Sequence, residues 1–547
     1  MKKIFLLGLV FYIFMGMESS LMAMGILPDT PPLIEAPKTY DYKWTEKFSI
    51  ISNDGTEISG NLFTPVSDDP YEVFPAIIMP ATWALPEYEY FAEAKKFCKK
   101  GYIVLAYNAR GWYASKGLIN VAGPKDMEDV SAVIDWICAN TPVDTEKIGM
   151  CGISYGAGIS LLGGAQDSRV KVIYAMSGWG DIYTALYEGE TPKTTWMQLL
   201  LIDITGMMQG HLDEEVNQLS KNMFYHQNIE ESLEFAKLRS PITYINNLNK
   251  RNVAVGISND LQDNLFPLNT ILPFFNKLTT KKRLDVHHGI HAFSNEVLGA
   301  AGLPTEIWNN CHAWMDENLK GVDTGIMKRP MISTDIRNED NRLYFNNLNN
   351  ETEFTEYYLG SRPSDETKYY GDLTQQQQFG QLSNTITSGL NSGLSLGIPF
   401  IGEIMDAHTQ KRITADLNEV SKHKAIIYMT EAFTEDQIIV GIPKLSLTLT
   451  PSMQRGQIIA HLYTVDESGT GTLFSHAPLT LWDATTGEPI EVSIGLNFTS
   501  ARVKKGHRLA LAIDTHELAF YGTPTANFFD MTFTYGENTK LYIPYVK

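Results

Sequence analysis

Ile148-Gly149-Met150-Cys151-Gly152-Ile153-Ser154-Tyr155-Gly156-Ala157-Gly158 decides the reading of this chain. An apolar run enters the stretch, glycines bracket a turn, and small apolar residues follow. It reads as a buried strand, a sharp corner and a helix, with the pattern G-x-S-x-G on the corner. At such a corner the serine hydroxyl stands out at the top of a sheet. The glycines are needed because side chains there collide with the neighbouring strand and helix. The backbone N–H of the next residue, Tyr155, points at any oxyanion formed on the serine. The pattern alone carries little, since it arises by chance in roughly one chain in five of this length. Gly393-Leu394-Ser395-Leu396-Gly397 repeats it after a polar run, with no buried strand before it.

The surroundings of Ser154 are different. Pro75–Met79, Tyr102–Tyr107 and Val170–Met176 are short apolar runs, as expected of strands buried on both faces. Phe91, Ala94, Phe97 and Cys98 fall at helical spacing, and so do Met127, Val130, Val133, Ile134, Ile137 and Cys138 between Lys125 and Asn140. Strands alternating with helices predict a parallel sheet covered on both faces. Asp181 to Ser240 breaks this rhythm with aromatics and methionines, among them Tyr183, Tyr187, Trp196, Met197, Met207 and Met208. A helical insertion at this level of the sheet forms a cap, expected over 181–245. The sheet resumes at Asn252–Ile257, a helix runs to Leu278, and Arg283–Val286 is the last strand expected. A helix from about Glu306 to Lys320 closes the layer.

A serine hydroxyl becomes a nucleophile when an imidazole takes its proton and a carboxylate orients that imidazole. An acid follows one strand and a histidine the next, which is the chain order Ser, Asp, His. Asp260 and Asp263 compete for the acid. Asp263 is preferred because it opens the turn into the next helix. His287, His288 and His291 compete for the base, and His291 is preferred because it follows Gly289 on the loop. The second oxyanion N–H is expected from the loop Pro80–Pro86, with Trp83 as the candidate.

The net charge of −19 over 547 residues argues against nucleic acid and anionic membrane surfaces as partners. Met1-Lys2-Lys3, an apolar run from Ile4 to Met17 and Glu18-Ser19-Ser20 read as a secretory signal peptide over 1–25, cleaved after Ala23 or Gly25. A periplasmic or secreted protein is expected, with no stable membrane insertion once that segment is removed; an uncleaved anchor is the alternative, against which the apolar run is short for a spanning helix. Cys98, Cys138, Cys151 and Cys311 lie in apolar or helical stretches and read as free thiols. No Cys/His spacing suggests a zinc site, and no cofactor or metal is expected. Nothing in the sequence sets an oligomeric state.

Past Pro330 the periodicity changes. Lys444–Thr450, Gln457–Tyr463, Ile490–Ile494 and His507–Ile513 alternate with period two between turn clusters. They predict an all-β domain, a jelly-roll sandwich. Gln375 to Leu396 is polar and reads as a surface loop.

Taken together these segments resemble the X-Pro dipeptidyl-peptidase and cocaine esterase family of serine hydrolases. Asn108-Ala-Arg-Gly-Trp-Tyr-Ala-Ser-Lys-Gly117 is similar to that family's D-x-R-G-x-G-x-S-x-G segment, with Asn108 in place of Asp and Tyr113 in place of the second Gly. Asp129 and Trp136 match the helix that follows it. Gly152–Gly158 resembles the family's elbow, Asp263-Asn-Leu-Phe its acid loop, Gly289-Ile-His291 its histidine loop and Trp314–Gly325 its closing helix. The large amino-terminal helical domain of the longer members is missing, so the length fits the short, esterase-like branch. The resemblance implies an α/β-hydrolase domain over 26–335, a β-sandwich over 336–547, and an acyl-enzyme on Ser154. The substrate expected is a small molecule or short peptide: an X-Pro peptide, an ester or an amide. A peptidase also requires an anionic anchor for the substrate amine, for which Glu87, Glu89, Glu188 and Glu190 are candidates. A non-catalytic peptide- or carbohydrate-binding protein on the same fold is the alternative.

Overall fold

The computed structural model describes residues 39–547 except 293–294, 363–369, 378–381, 388, 390–391, 395, 398–400, 410, 518–519, 523 and 525–526. The expected signal peptide and Ser395 lie outside the described residues.

Ten strands form one sheet: β1 (Asp41–Ile51), β2 (Glu57–Val66), β3 (Phe74–Pro80), β4 (Ile103–Tyr107), β5 (Val143–Ile153), β6 (Val170–Met176), β7 (Ala254–Asp260), β8 (Lys282–His287), β9 (Ile332–Asp335) and β10 (Arg342–Phe345). Their order is β1-β2-β4-β3-β5-β6-β7-β8-β9-β10. Neighbours are parallel from β4 through β9, and antiparallel at β1–β2, β2–β4 and β9–β10.

Alternate residues of each strand face opposite sides, so two cores form. Ile78, Leu105, Met150, Ile173 and Ile257 meet the helices Pro124–Asn140, Tyr155–Gln166 and Leu268–Lys277 on one face. Ile77, Val104, Cys151, Tyr174 and Met176 meet the helices Phe91–Lys99 and Glu306–Leu319 on the other. A strand apolar on both faces needs both helical layers, which is why these runs lack alternation.

The expected last strand is not the last. The sheet gains β9 parallel to β8 and β10 antiparallel to β9. The expected boundary at 335/336 therefore falls inside a hairpin. Four-residue strands held by pairing across the sheet leave no periodic trace in sequence. Between β6 and β7 the chain is helical and includes Glu214–Tyr225, Ile229–Lys237 and Ile245–Arg251.

Beyond β10 the regular elements of the described residues are mostly strands, with the helices Leu348–Glu351 and Ile401–His408 among them. Leu445, Leu447, Leu449, Phe533 and Leu541 of one sheet face Ile426, Ile458, Leu462, Leu511 and Ile513 of the other across a buried core. The second sheet is buried on its outer face too, where Ile427, Ile459 and Ala512 meet Leu394, Leu396, Phe520 and Tyr521. Gln375 to Leu396 is thus no plain surface loop. It contains the strand Leu382–Thr387, and Leu394 and Leu396 are buried. The polar residues there mask a few apolar anchors that only the folded sheet collects. Val440 and Phe498 of this all-β region pack into the core of the first sheet.

All four cysteines are free thiols; Cys98, Cys151 and Cys311 are buried. Among the described residues, no helix is long and apolar enough to cross a membrane.

Candidate active site

β5 ends at Ile153, and Ser154 takes φ 53° and ψ −111° before the helix Tyr155–Gln166 begins. A non-glycine residue in this region is strained, and the surroundings hold it there. Ser154 N–H donates to Met176 O at 2.8 Å, and Ser154 O accepts from Gly158 N at 3.0 Å. The glycines are steric necessities. A Cβ on Gly152 would lie 2.6 Å from the Gly156 carbonyl carbon, and one on Gly156 would lie 2.2 Å from Pro80 O. The helix start therefore sits directly against the end of β3.

Ser154 Oγ lies 2.8 Å from His291 Nε2. His291 Nδ1 lies 2.8 Å from Asp263 Oδ2. The other carboxyl oxygen of Asp263 accepts the N–H groups of Leu265 at 2.9 Å and Phe266 at 2.8 Å. Asp263 therefore presents one oxygen to the imidazole and has the other saturated. A carboxylate only accepts, so Nδ1 donates to Asp263 and the ring turns Nε2 to the serine. The three residues are 6, 5 and 2 % exposed in the order Ser154, His291, Asp263, so water scarcely screens them. Trp196 and Phe266 stand edge-on to the imidazole, with ring centroids at 5.8 and 5.0 Å.

The competing residues lie elsewhere. His287 is buried against Arg342, with Nδ1 at 3.2 Å from Nη1, and His288 Nε2 is 3.0 Å from Glu339 O. Both histidines brace the β9–β10 hairpin. Asp260 ends β7 with both carboxyl oxygens buried and unbonded among the described residues. Burial, reinforced by the Glu296 and Asp263 carboxylates, pushes its acid group well above the usual range. Glu296 is raised by burial as well, and Ser177 Oγ donates to it at 2.7 Å. Asp260 faces Glu296 under the site, while the imidazole's partner is Asp263.

Across from Ser154, the loop after β3 is clamped to the elbow. Thr82 N–H donates to Glu89 Oε1 at 2.7 Å, Thr82 Oγ1 donates to Ile153 O at 3.2 Å, and Ile153 N–H donates to Tyr90 Oη at 3.0 Å. Burial pushes the Glu89 carboxyl up to about 8. Trp83 packs edge-on to Trp112 and Tyr155, each centroid at 5.1 Å, and its Nε1 donates to Leu200 O in the helical insertion at 3.3 Å. Among the described residues, the backbone N–H groups of Trp83 and Tyr155 make no hydrogen bond.

The segment around Arg110 supports the elbow from below. Arg110 donates Nε and Nη2 to the two oxygens of Asp129 at 2.7 and 2.6 Å, and Nη1 to Asp54 at 2.9 Å. Tyr155 Oη accepts from Ala122 N at 3.1 Å and donates to Asp126 at 3.3 Å. Asn108 Oδ1 accepts the Glu87 N–H at 3.0 Å. Tyr113 has φ 51°, a conformation glycine adopts freely, and its hydroxyl donates to Ala84 O at 2.6 Å.

Of the acids considered as amine anchors, Glu188 is occupied. It is buried and pairs with Lys193 Nζ at 3.5 Å. Glu87 is buried and accepts from Asn61 Nδ2 at 2.7 Å. Glu190 is exposed, at φ 56° in the turn ahead of Lys193. Sequence reasoning passed over Thr82, Tyr90 and Lys193. Their roles come from contacts that no local pattern announces. Among the described residues, no group of His, Cys, Asp and Glu has the arrangement of a metal site.

Comparison with known proteins agrees with this architecture. Residues 54–293 match the family described as X-Pro dipeptidyl-peptidase (S15 family). Residues 327–527 match the X-Pro dipeptidyl-peptidase C-terminal non-catalytic domain. An uncharacterised Escherichia coli protein, YcjY, is 30 % identical over 138 residues, which is 24 % of this chain and 44 % of that protein. An uncharacterised 31.7 kDa protein of the traX-finO intergenic region, also from Escherichia coli, is 28 % identical over 110 residues, 20 % of this chain and 38 % of that one. The chain thus spans less than half the length of the curated relatives it matches. Among solved structures, a CocE/NonD family hydrolase from Staphylococcus aureus superposes with TM-score 0.69 at 14 % identity, over 95 % of this chain and 100 % of that one. An alpha-amino acid ester hydrolase superposes with TM-score 0.67 at 16 % identity, over the same shares. At these identities the likeness is one of fold: an α/β-hydrolase followed by a β-rich domain. The two family matches together cover most of the sequence, and the chain belongs to the X-Pro dipeptidyl-peptidase (S15) family.

Proposed function

We propose that this protein is an exported serine hydrolase that cleaves a small acyl substrate through an acyl-enzyme on Ser154. The observation that carries the reading is the relay from Ser154 Oγ to His291 Nε2 and from His291 Nδ1 to Asp263, both at 2.8 Å, on a strained elbow. Ser154 attacks the carbonyl carbon as its proton passes to His291 Nε2. Asp263 holds the ring in the required tautomer and balances the imidazolium. The N–H groups of Tyr155 and Trp83 receive the oxyanion. The imidazolium then protonates the leaving amine or alcohol, and water repeats the sequence to release the acid. The domain limits that go with this reading are a signal peptide over 1–25, a catalytic domain from 26 through the β9–β10 hairpin with its cap at 181–245, and a β-sandwich beyond that hairpin.

The family supports an X-Pro peptide, an ester or an amide as substrate. Gly-Pro and Ala-Pro chromogenic amides set against short acyl nitrophenyl esters separate the peptidase from the esterase. A fluorophosphonate probe tests the chemistry itself. The wild type is expected to be labelled at Ser154, and Ser154→Ala to remain unlabelled. Folded wild-type protein that resists the probe refutes the proposal.

A further inference from the structure

The turn Glu188–Lys193 touches three parts of the molecule. Lys193 is 2 % exposed, and its Nζ donates to Asn264 O at 2.8 Å. Asn264 directly follows Asp263, so the ammonium holds the backbone of the loop that carries the acid. The partner charge is Glu188, at 3.5 Å and also buried. Glu188 in turn accepts from Asn269 Nδ2 at 3.5 Å. Asn269 is bonded twice to the all-β domain, donating to Leu496 O at 2.9 Å and accepting from Phe498 N at 2.7 Å. The same domain grips the turn itself. Thr191 and Thr480 hydroxyls meet at 2.8 Å, Trp482 Nε1 donates to Glu190 O at 2.8 Å, and Gly522 N donates to Pro192 O at 3.0 Å. At Gly189, with φ 56°, a Cβ would lie 2.1 Å from Pro478 O, so the two surfaces are in close contact.

A lysine this deep is costly unless its charge is matched and its protons are accepted. Here one carboxylate matches the charge and the acid-loop carbonyl accepts a hydrogen bond from the ammonium. We propose that Lys193 is a positioning residue for the Asp263–His291 pair, holding the acid loop in place and, with Glu188, setting the proton affinity of His291. This inference rests on the catalytic roles proposed above. It also gives the all-β domain a part in the site, since that domain holds both ends of the linkage.

The charged and titratable groups facing Lys193 are Glu188 on its own turn, Asp263 on the acid loop, and Glu403 and His476 in the all-β domain. Glu296 and Asp260 face the Asp263–His291 pair from below. Burial lowers the proton affinity of Lys193 while Glu188 and Asp263 raise it.

The sign follows from charge. Lys193→Met removes a cation, so imidazolium is favoured and His291 titrates at higher pH. Glu188→Gln removes the balancing anion, so His291 titrates at lower pH. The test is the titration of His291 by NMR in the full chain with isotope-labelled histidine, for the wild type and both variants. This readout needs no turnover, so it stands even if Ser154 proves unreactive. Fluorophosphonate labelling of the same samples reports separately on the catalytic proposal. The expected order of midpoints is Lys193→Met, then wild type, then Glu188→Gln, with the extremes about one pH unit apart, tenfold in proton affinity. Labelling of Lys193→Met at high pH is expected to fall roughly tenfold or more, because the acid loop loses its anchor. Should Lys193→Met fail to fold, Glu188→Gln against wild type decides alone. Coincident midpoints among the folded proteins overturn the inference.

Discussion

Asp263→Asn is the sharpest perturbation of the proposed relay, because the structure dictates which way the amide must turn. Asp263 Oδ1 accepts two backbone N–H groups, from Leu265 and Phe266, while Oδ2 accepts His291 Nδ1–H. Asparagine has one acceptor and one donor where aspartate had two acceptors. If its oxygen stays on the two backbone donors, its NH2 faces His291 Nδ1. The ring then adopts the other tautomer, with the proton on Nε2, and no longer accepts from Ser154. If the amide flips, its NH2 meets two N–H donors in a site where Asp263 is only 2 % exposed. Two lost hydrogen bonds cost about 2–3 kcal/mol, which confines the flipped form to roughly 1–4 % of molecules at 1.4 kcal/mol per tenfold. The flipped form also lacks the charge that balances imidazolium. The expected loss in kcat is therefore about 10³- to 10⁴-fold, the scale seen when an orienting carboxylate becomes an amide. The assay is the second-order rate of fluorophosphonate labelling at Ser154, with ester turnover alongside and circular dichroism to confirm folding. A folded Asp263→Asn that retains more than about a tenth of the wild-type rate refutes the tautomer reasoning. So does an Asp260→Asn variant that loses as much.

Three further outcomes follow from the geometry. Gly156→Ala places a methyl 2.2 Å from Pro80 O; the loop bearing Thr82 and Trp83 must shift, and labelling should fall about 10²-fold with about 1–3 kcal/mol of stability lost in urea titration. Asp260→Asn should keep labelling and change the pH dependence of stability. Asp260 has its affinity for protons raised by burial, so its contribution is present below the unfolded value near 4 and is lost as pH rises toward the folded value. The asparagine removes that loss, and the variant should gain on wild type by up to about 1.4 kcal/mol per pH unit above roughly pH 4. A constant difference across pH counts against a raised Asp260 acid group. Arg110→Lys replaces a fork that engages both oxygens of Asp129 and one of Asp54 with a single ammonium. It should destabilise by about 2–3 kcal/mol in denaturant titration, and an unchanged midpoint would show that Asp129 is satisfied another way.

The alternation of strand and helix around Ser154 was legible because parallel strands buried on both faces need unbroken apolar runs, and these are written locally. The elbow was legible for a similar reason. Gly152 and Gly156 are required by contacts with the adjoining helix and strand, and their spacing is short in sequence. The change of period past Pro330 marked the all-β region in the same way. Other features depend on residues far apart in the chain. The choice between Asp260 and Asp263 rests on which carboxyl faces the ring, three residues apart at a strand end, and the fold turns Asp260 toward Glu296 and Asp263 toward His291. His287, His288 and His291 stand within five positions, yet the first two brace the hairpin of β9 and β10, which no periodicity announced. Glu188 looked available to a substrate amine until the fold seated Lys193 against it. Local sequence by itself determined which segments are strand, helix and corner, because burial imposes a period on each. Which buried charges meet, and which single acid and base reach Ser154, only the tertiary structure decided, because those pairings depend on where distant loops converge.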